Sequence, residues 1–263
     1  MMSDPGTPEL PGIPAPPPPP DIPPPPPPPP ERVPFWGYRD LFMFIGLFVG
    51  SLIAGFLTVS GILAILHVSP KNDLWRLLPA QFLAYLFLFL AVWLLFRAQY
   101  ERPFWRSLGW TELRLRPTAI IACGVLLAFA VGIASQLLHT PDVPTPMTKM
   151  LSDRASMLLV TVFGATLGPL CEELIFRGFL QPLFTRTLGV VGGILAAAVP
   201  FGLLHLQQNG NSWQFGVLIT MAGAAFGWMR WRTGSTKAST LMHAAYNGTM
   251  FVALLMQPKN LPH

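Results

Sequence analysis

The chain is 263 residues long, 52% hydrophobic and only 11% charged, with a mean hydropathy of +0.49 and a formal net charge of +5. A soluble globular domain carries roughly 25% charged residues, so this composition excludes that class and points to the lipid bilayer. The surplus positive charge is scattered between apolar runs rather than gathered in a stripe, which argues against nucleic acid as a partner.

Residues 1–34 differ from everything after them, since they hold 18 of the 30 prolines, including Pro16–Pro20 and Pro23–Pro30. Such runs favour polyproline II and cannot form a core, so they read as a disordered tail. A Pro-binding partner docking there is the sharper alternative. The tail has no basic start or apolar stretch of its own, so it is not a signal peptide, and the first span is expected to serve as an uncleaved anchor.

Apolar runs follow near 41–67, 77–96, 118–138, 156–171, 190–206, 213–229 and 238–256. The run from Leu41 to His67 has no charge over 27 residues, and a helix crosses a bilayer core with about 20. The fourth run continues to about Phe184. The expected fold is all-α, a polytopic transmembrane bundle of about seven spans, with an eighth left open. Short alternating segments, the mark of a barrel, are missing. The chain divides into the tail, N-terminal transmembrane helices over 35–140, and a core over 141–258.

Basic residues orient the bundle. Placing the loop with Arg97, Arg102, Arg106, Arg114 and Arg116 in the cytoplasm puts eleven Lys and Arg inside and five outside, with Arg177 in the membrane. The N-terminus is then cytoplasmic, and the expected location is the plasma membrane. The two cysteines, Cys123 and Cys171, fall in spans and make a disulfide unexpected. Glycine pairs at four-residue spacing, Gly46/Gly50 and Gly223/Gly227, permit close helix contacts.

Ionisable side chains are costly in lipid and normally face a protein interior or a wet cavity. The fourth span contains LCEELIFRGFLQPLF, with Glu172, Glu173 and Arg177; the fifth has His205; the seventh has His243 and Asn247. Glu173 and Arg177 are i and i+4, acid first, the favourable order for an ion pair, so Glu173 reads as architectural. Glu172 is turned about 100° away and has Phe176 at i+4, so it faces something else. Phe201/His205 and His243/Asn247 share the same spacing.

A carboxylate and a histidine can deprotonate water, and a histidine with an asparagine can stabilise an oxyanion. Two histidines and a carboxylate could instead bind zinc with an open position, through Glu172, His205 and His243. A bland reading makes all of them interhelical hydrogen bonds. Cys171 could be a thiol nucleophile, but Glu172 beside it opposes a thiolate, so it reads as a small buried residue.

In order and spacing, Glu172-Glu173-x-x-x-Arg177, Phe201-x-x-x-His205 and His243-x-x-x-Asn247 resemble the three motifs of the CPBP family. That family comprises type II CAAX prenyl endopeptidases and the bacteriocin-processing and immunity proteins called Abi. The resemblance spans roughly residues 155–256. It implies an intramembrane endopeptidase, often labelled a metalloprotease, acting on a membrane-associated peptide, the prenylated CAAX type among the candidates. Carried over by position, Glu172 is the general base, His205 its partner on water, and His243 with Asn247 the oxyanion hole. Glu173 and Arg177 hold the geometry, with Phe201 as support. The cofactor stays open, with a metal-free site favoured over zinc because no paired-histidine motif pre-forms one. A non-catalytic scaffold or immunity factor, and a proton-coupled transporter, are the competing readings. One difficulty stands: His205 lies about 22 Å along its span and His243 about 8 Å along its own, which calls for an offset, with Pro200 a candidate kink.

Overall fold

The structure, a computed structural model, describes residues 33–70, 73–141 and 153–256. The proline-rich segment through Arg32, and the basic residues Lys71, Lys149 and Lys259, lie outside the described residues. The helices are α1 Tyr38–Ile65, α2 Leu74–Tyr100, the short α3 Phe104–Ser107, and α4 Pro117–Leu137. They continue with α5 Arg154–Ala165, α6 Leu167–Glu173, a π-helical segment Leu174–Leu180, and α7 Gln181–Leu204. A 3₁₀ turn Gln207–Asn209 leads to α8 Trp213–Thr233 and α9 Thr236–Leu255. No strand occurs among the described residues.

Four helical stretches are long and apolar enough to cross a bilayer: Tyr38–Ile65, Leu74–Tyr100, Pro117–Leu137 and Arg154–Leu204. The last has 51 residues, far longer than one crossing needs. It breaks at Gly189, where φ is 72° and ψ 179°, a backbone state open essentially to glycine. The break gives the separate fourth and fifth spans expected from sequence. Pro200 lies inside α7 beyond this break. The protein is an integral membrane protein with an all-α fold.

Local chemistry sets the helix starts. Pro117 occupies the first turn of α4, where a missing N–H costs nothing. Asp153 caps α5 by accepting from the N–H groups of Ala155 and Ser156, each at 3.0 Å. The start of α9 is bound to the loop after α3. Thr236 N–H donates to Gly109 O at 2.8 Å and its hydroxyl to Leu108 O at 2.6 Å.

The α1–α2 hairpin packs on small residues. A Cβ on Gly55 would collide with Ala80 O and lie 2.9 Å from Ala84 N. Gly46 and Gly50, read from sequence as contact points, would meet nothing within 4 Å, so their spacing marks no helix contact. At the far end of the hairpin, Trp36, Phe44, Phe96 and Phe179 form an aromatic cluster. Trp36 stacks on Phe179 with ring centres 5.3 Å apart and 4° between planes, and its Nε1–H donates to Phe179 O at 3.2 Å. This joins the first described residues to the π-helical segment.

Candidate active site

The π-helical segment follows directly on Glu172 and Glu173. Its wide turn ends where Gln181 N–H donates to Phe176 O, five residues back. Arg177 and Gln181, one turn apart, reach across to α8 and donate to Gly223 O at 2.6 Å and Gly227 O at 2.8 Å. Gly223 and Gly227 therefore admit these side chains: a Cβ there would lie 3.0 Å from the Arg177 guanidinium and 2.9 Å from Gln181 Oε1.

Glu173 and Arg177 are fully buried and paired at 2.8 Å, as their spacing predicts. The guanidinium lies 4.7 Å from the Phe201 ring centre and 5.4 Å from that of Phe226. Aromatic faces and one carboxylate thus replace its water shell. Glu173 has a further role that its spacing does not reveal. Its Oε1 also lies 3.0 Å from His243 Nδ1.

Glu172 faces the other way. Its Oε1 lies 3.9 Å from His205 Nε2 and its Oε2 lies 3.8 Å from His243 Nε2. The depth difficulty resolves because α9 begins inside the bundle, with Ser235, Thr236 and Ser239 fully buried. His243 is thereby carried to the level of His205. Asn247 is directed elsewhere in part: its Nδ2 donates to Gly164 O at 2.7 Å, tying α9 to α5. The structure brings Glu172, His205 and His243 to one place, with Asn247 a turn beyond.

Proton positions follow from the partners. His205 Nδ1 lies 2.7 Å from Phe201 O, which can only accept. Glu173, ionised against Arg177, also only accepts. Both imidazoles therefore carry their proton on Nδ1 and turn an Nε2 lone pair toward the Glu172 carboxylate. Three acceptor groups then face one another at distances too long for direct hydrogen bonds. A water between them donates to two of the three, Glu172 and one imidazole. Two of the three groups have access to it from outside, since the Glu172 and His205 side chains are 18% and 22% exposed against 3% for His243.

These groups are also of the type that binds zinc, with each Nδ1 oriented by a second partner. The separations of the two imidazoles from Glu172, 3.9 and 3.8 Å, exceed the ~3.4 Å edge of a tetrahedral site with bonds of 2.0–2.2 Å. Among the described residues no group of three is gathered closely enough to hold a metal ion. As placed, the trio does not fit zinc.

Phe201 packs beside the site, its ring centre 4.6 Å from His205 and 5.7 Å from His243. Cys171 packs against the aromatic cluster rather than facing the histidines, as a small apolar residue would. Three polar residues near the site escaped the sequence reading. Asn209 donates to His205 O at 2.9 Å, fixing the turn that follows α7. Gln81 donates to the Tyr85 hydroxyl at 3.0 Å inside α2, and Tyr85 packs in the cluster that includes Cys171. The spacing of Gln81 and Tyr85 at i and i+4 was the available signal.

Residues 154–249 match the family model described as Type II CAAX prenyl endopeptidase Rce1-like. No curated protein and no solved structure matches the chain.

Proposed function

We propose, from the membership of residues 154–249 in the type II CAAX prenyl endopeptidase Rce1-like family, that the protein is an intramembrane endopeptidase for membrane-associated peptides of prenylated CAAX type. Membership itself gives a CAAX-type membrane protease family, a bilayer as surroundings and a peptide as substrate. The observation that supports the finer reading is the convergence of the Glu172 carboxylate on His205 Nε2 and His243 Nε2, at 3.9 and 3.8 Å.

In this reading Glu172 takes a proton from the water, which His205 positions through Nε2. The resulting hydroxide adds to the scissile carbonyl carbon, and charge passes to the carbonyl oxygen. Glu172 passes its proton to the adjacent His243 Nε2. The imidazolium so formed is stabilised by Glu173 at Nδ1, as a buried acid stabilises a catalytic histidine elsewhere. His243 and the second amide hydrogen of Asn247 then face the oxyanion. The proton goes finally to the departing amine, and the peptide bond breaks. The distribution of basic residues supports a cytoplasmic N-terminus.

The test uses protein reconstituted in lipid with a prenylated CAAX peptide and a panel of unmodified membrane peptides. Glu172→Gln is expected to lower hydrolysis by roughly 10²–10⁴-fold while folding stays intact. Full turnover by that variant would remove Glu172 from the mechanism. A wild-type protein cleaving no peptide would favour the scaffold reading, to which the Asn247 bond between α9 and α5 already lends a structural role. Metal content and activity before and after chelation test the rest. Activity is expected to survive, and stoichiometric zinc whose loss and return switch activity off and on would overturn the metal-free site.

A further inference from the structure

At the end of α2 the chain builds a basic cavity that the proposed active site does not use. It measures about 380 Å³ and is lined by Trp93, Arg97, Glu101, Arg102, Pro103 and Phe104. Trp93, Arg97 and Glu101 follow one another at four-residue steps, so they form one stripe along the last turns of the helix. The helix stops at Glu101, whose φ of 54° and ψ of 33° lie in the left-handed region that side chains rarely adopt. The N–H groups of Glu101 and Arg102 both donate to Phe96 O. That turn, followed by Pro103, folds Arg102 back over the stripe.

Each guanidinium is seated on an aromatic ring. Arg97 lies 5.5 Å from the Trp93 ring centre, and Arg102 lies 6.0 Å from that of Phe35. Among the described residues Arg97 has no hydrogen bond or ion pair, so its donors are available to a ligand. Below the cavity the helix surface is apolar, with Leu90 and Leu94 about half exposed. The stretch Leu74–Tyr100 crosses the bilayer by length and composition, so its end lies at headgroup level.

Two arginines and one glutamate line the cavity, a formal excess of one positive charge among its lining side chains. That matches a phosphodiester, which carries a single negative charge, better than a free phosphate dianion, which the Glu101 carboxylate would repel. We propose that this cavity binds the phosphodiester headgroup of an anionic phospholipid, with its acyl chains along the apolar face of α2.

Purified full-length protein in detergent would be titrated with phosphatidylglycerol, with phosphatidylcholine and with inorganic phosphate, and bound lipid counted by native mass spectrometry. One phosphatidylglycerol is expected to bind more tightly than any later one, and more tightly than phosphatidylcholine. Arg97→Gln and Arg102→Gln should each weaken it roughly fivefold. Arg106→Gln removes the same charge from the same loop but outside the cavity, and should change binding less than about twofold. If Arg102→Gln lowers the yield, Arg97→Gln alone carries the test. Equal binding of phosphatidylcholine, competition by inorganic phosphate, or equal weakening by Arg106→Gln would each overturn the proposal, the last by showing only diffuse charge attraction.

Discussion

The α1–α2 hairpin and the four elements around Glu173 lie in the same bilayer but are held together by different means. Lipid tails are as apolar as leucine, so burying apolar surface does not by itself draw two helices together there. The hairpin relies on close approach, with Gly55 letting α1 meet the backbone of α2 at Ala80 and Ala84. The site half relies on polar bonds: Arg177 and Gln181 donate to α8, and Glu173 accepts from His243 on α9. Buried ionised groups are found where the chemistry is proposed, and their neutralisation also serves as the joint between helices. The hairpin has one buried acid, Asp40, at its end, and it accepts from the Tyr100 hydroxyl of α2 rather than pairing with a buried cation.

Removing the joint tests this contrast most severely. Glu173→Gln leaves Arg177 buried without a counter-charge and is expected to cost about 3–5 kcal/mol of stability, read as a loss of yield and a lower Tm in detergent. The double variant Glu173→Gln/Arg177→Met should recover much of that stability, because an apolar replacement of the whole pair leaves no stranded charge. It should nevertheless stay poorly active, since His243 has lost its orienting acid. A Glu173→Gln protein as stable as wild type would show that the pair is not the joint.

Smaller effects are expected in the hairpin. Gly55→Leu forces a side chain into the α2 backbone and should cost about 1–3 kcal/mol, with the site residues untouched. Gly46→Leu, facing open space on the same helix, should change stability by no more than about 0.5 kcal/mol. Equal destabilisation by both would place the hairpin contact elsewhere than at Gly55.

Much of this architecture can be read from the residues. Uncharged runs mark the long helices, and the four-residue steps of Glu173/Arg177 and Phe201/His205 place those groups together. Axial depth is what such spacing does not contain. His243 and His205 seemed mismatched because the start of α9 is set by bonds from Thr236 to Leu108 and Gly109, residues of a loop more than 120 positions away. Glycine spacing misled for a related reason: Gly46 and Gly50 share a face, but the face is exposed. The Glu173–His243 bond joins two motifs, so no spacing within either could show it. Gln81 and Tyr85 carry no charge, so charge patterning does not single them out, although an amide in a span is also costly.

The π-helical segment has a consequence for the numbering of the chain itself. A wide turn is what an α-helix becomes when one extra residue is accommodated without unwinding. It therefore acts as a phase shifter, setting the angle between the face that carries Glu172 and the face that carries Gln181 and Leu183. Were the same residues to wind as ordinary α-helix, everything beyond the turn would rotate by about 100° against Glu172. Every side chain would keep its identity, yet Glu172 could no longer face the histidines while Gln181 reached Gly227. Removing one residue together with the wide turn would instead hold the two faces in phase.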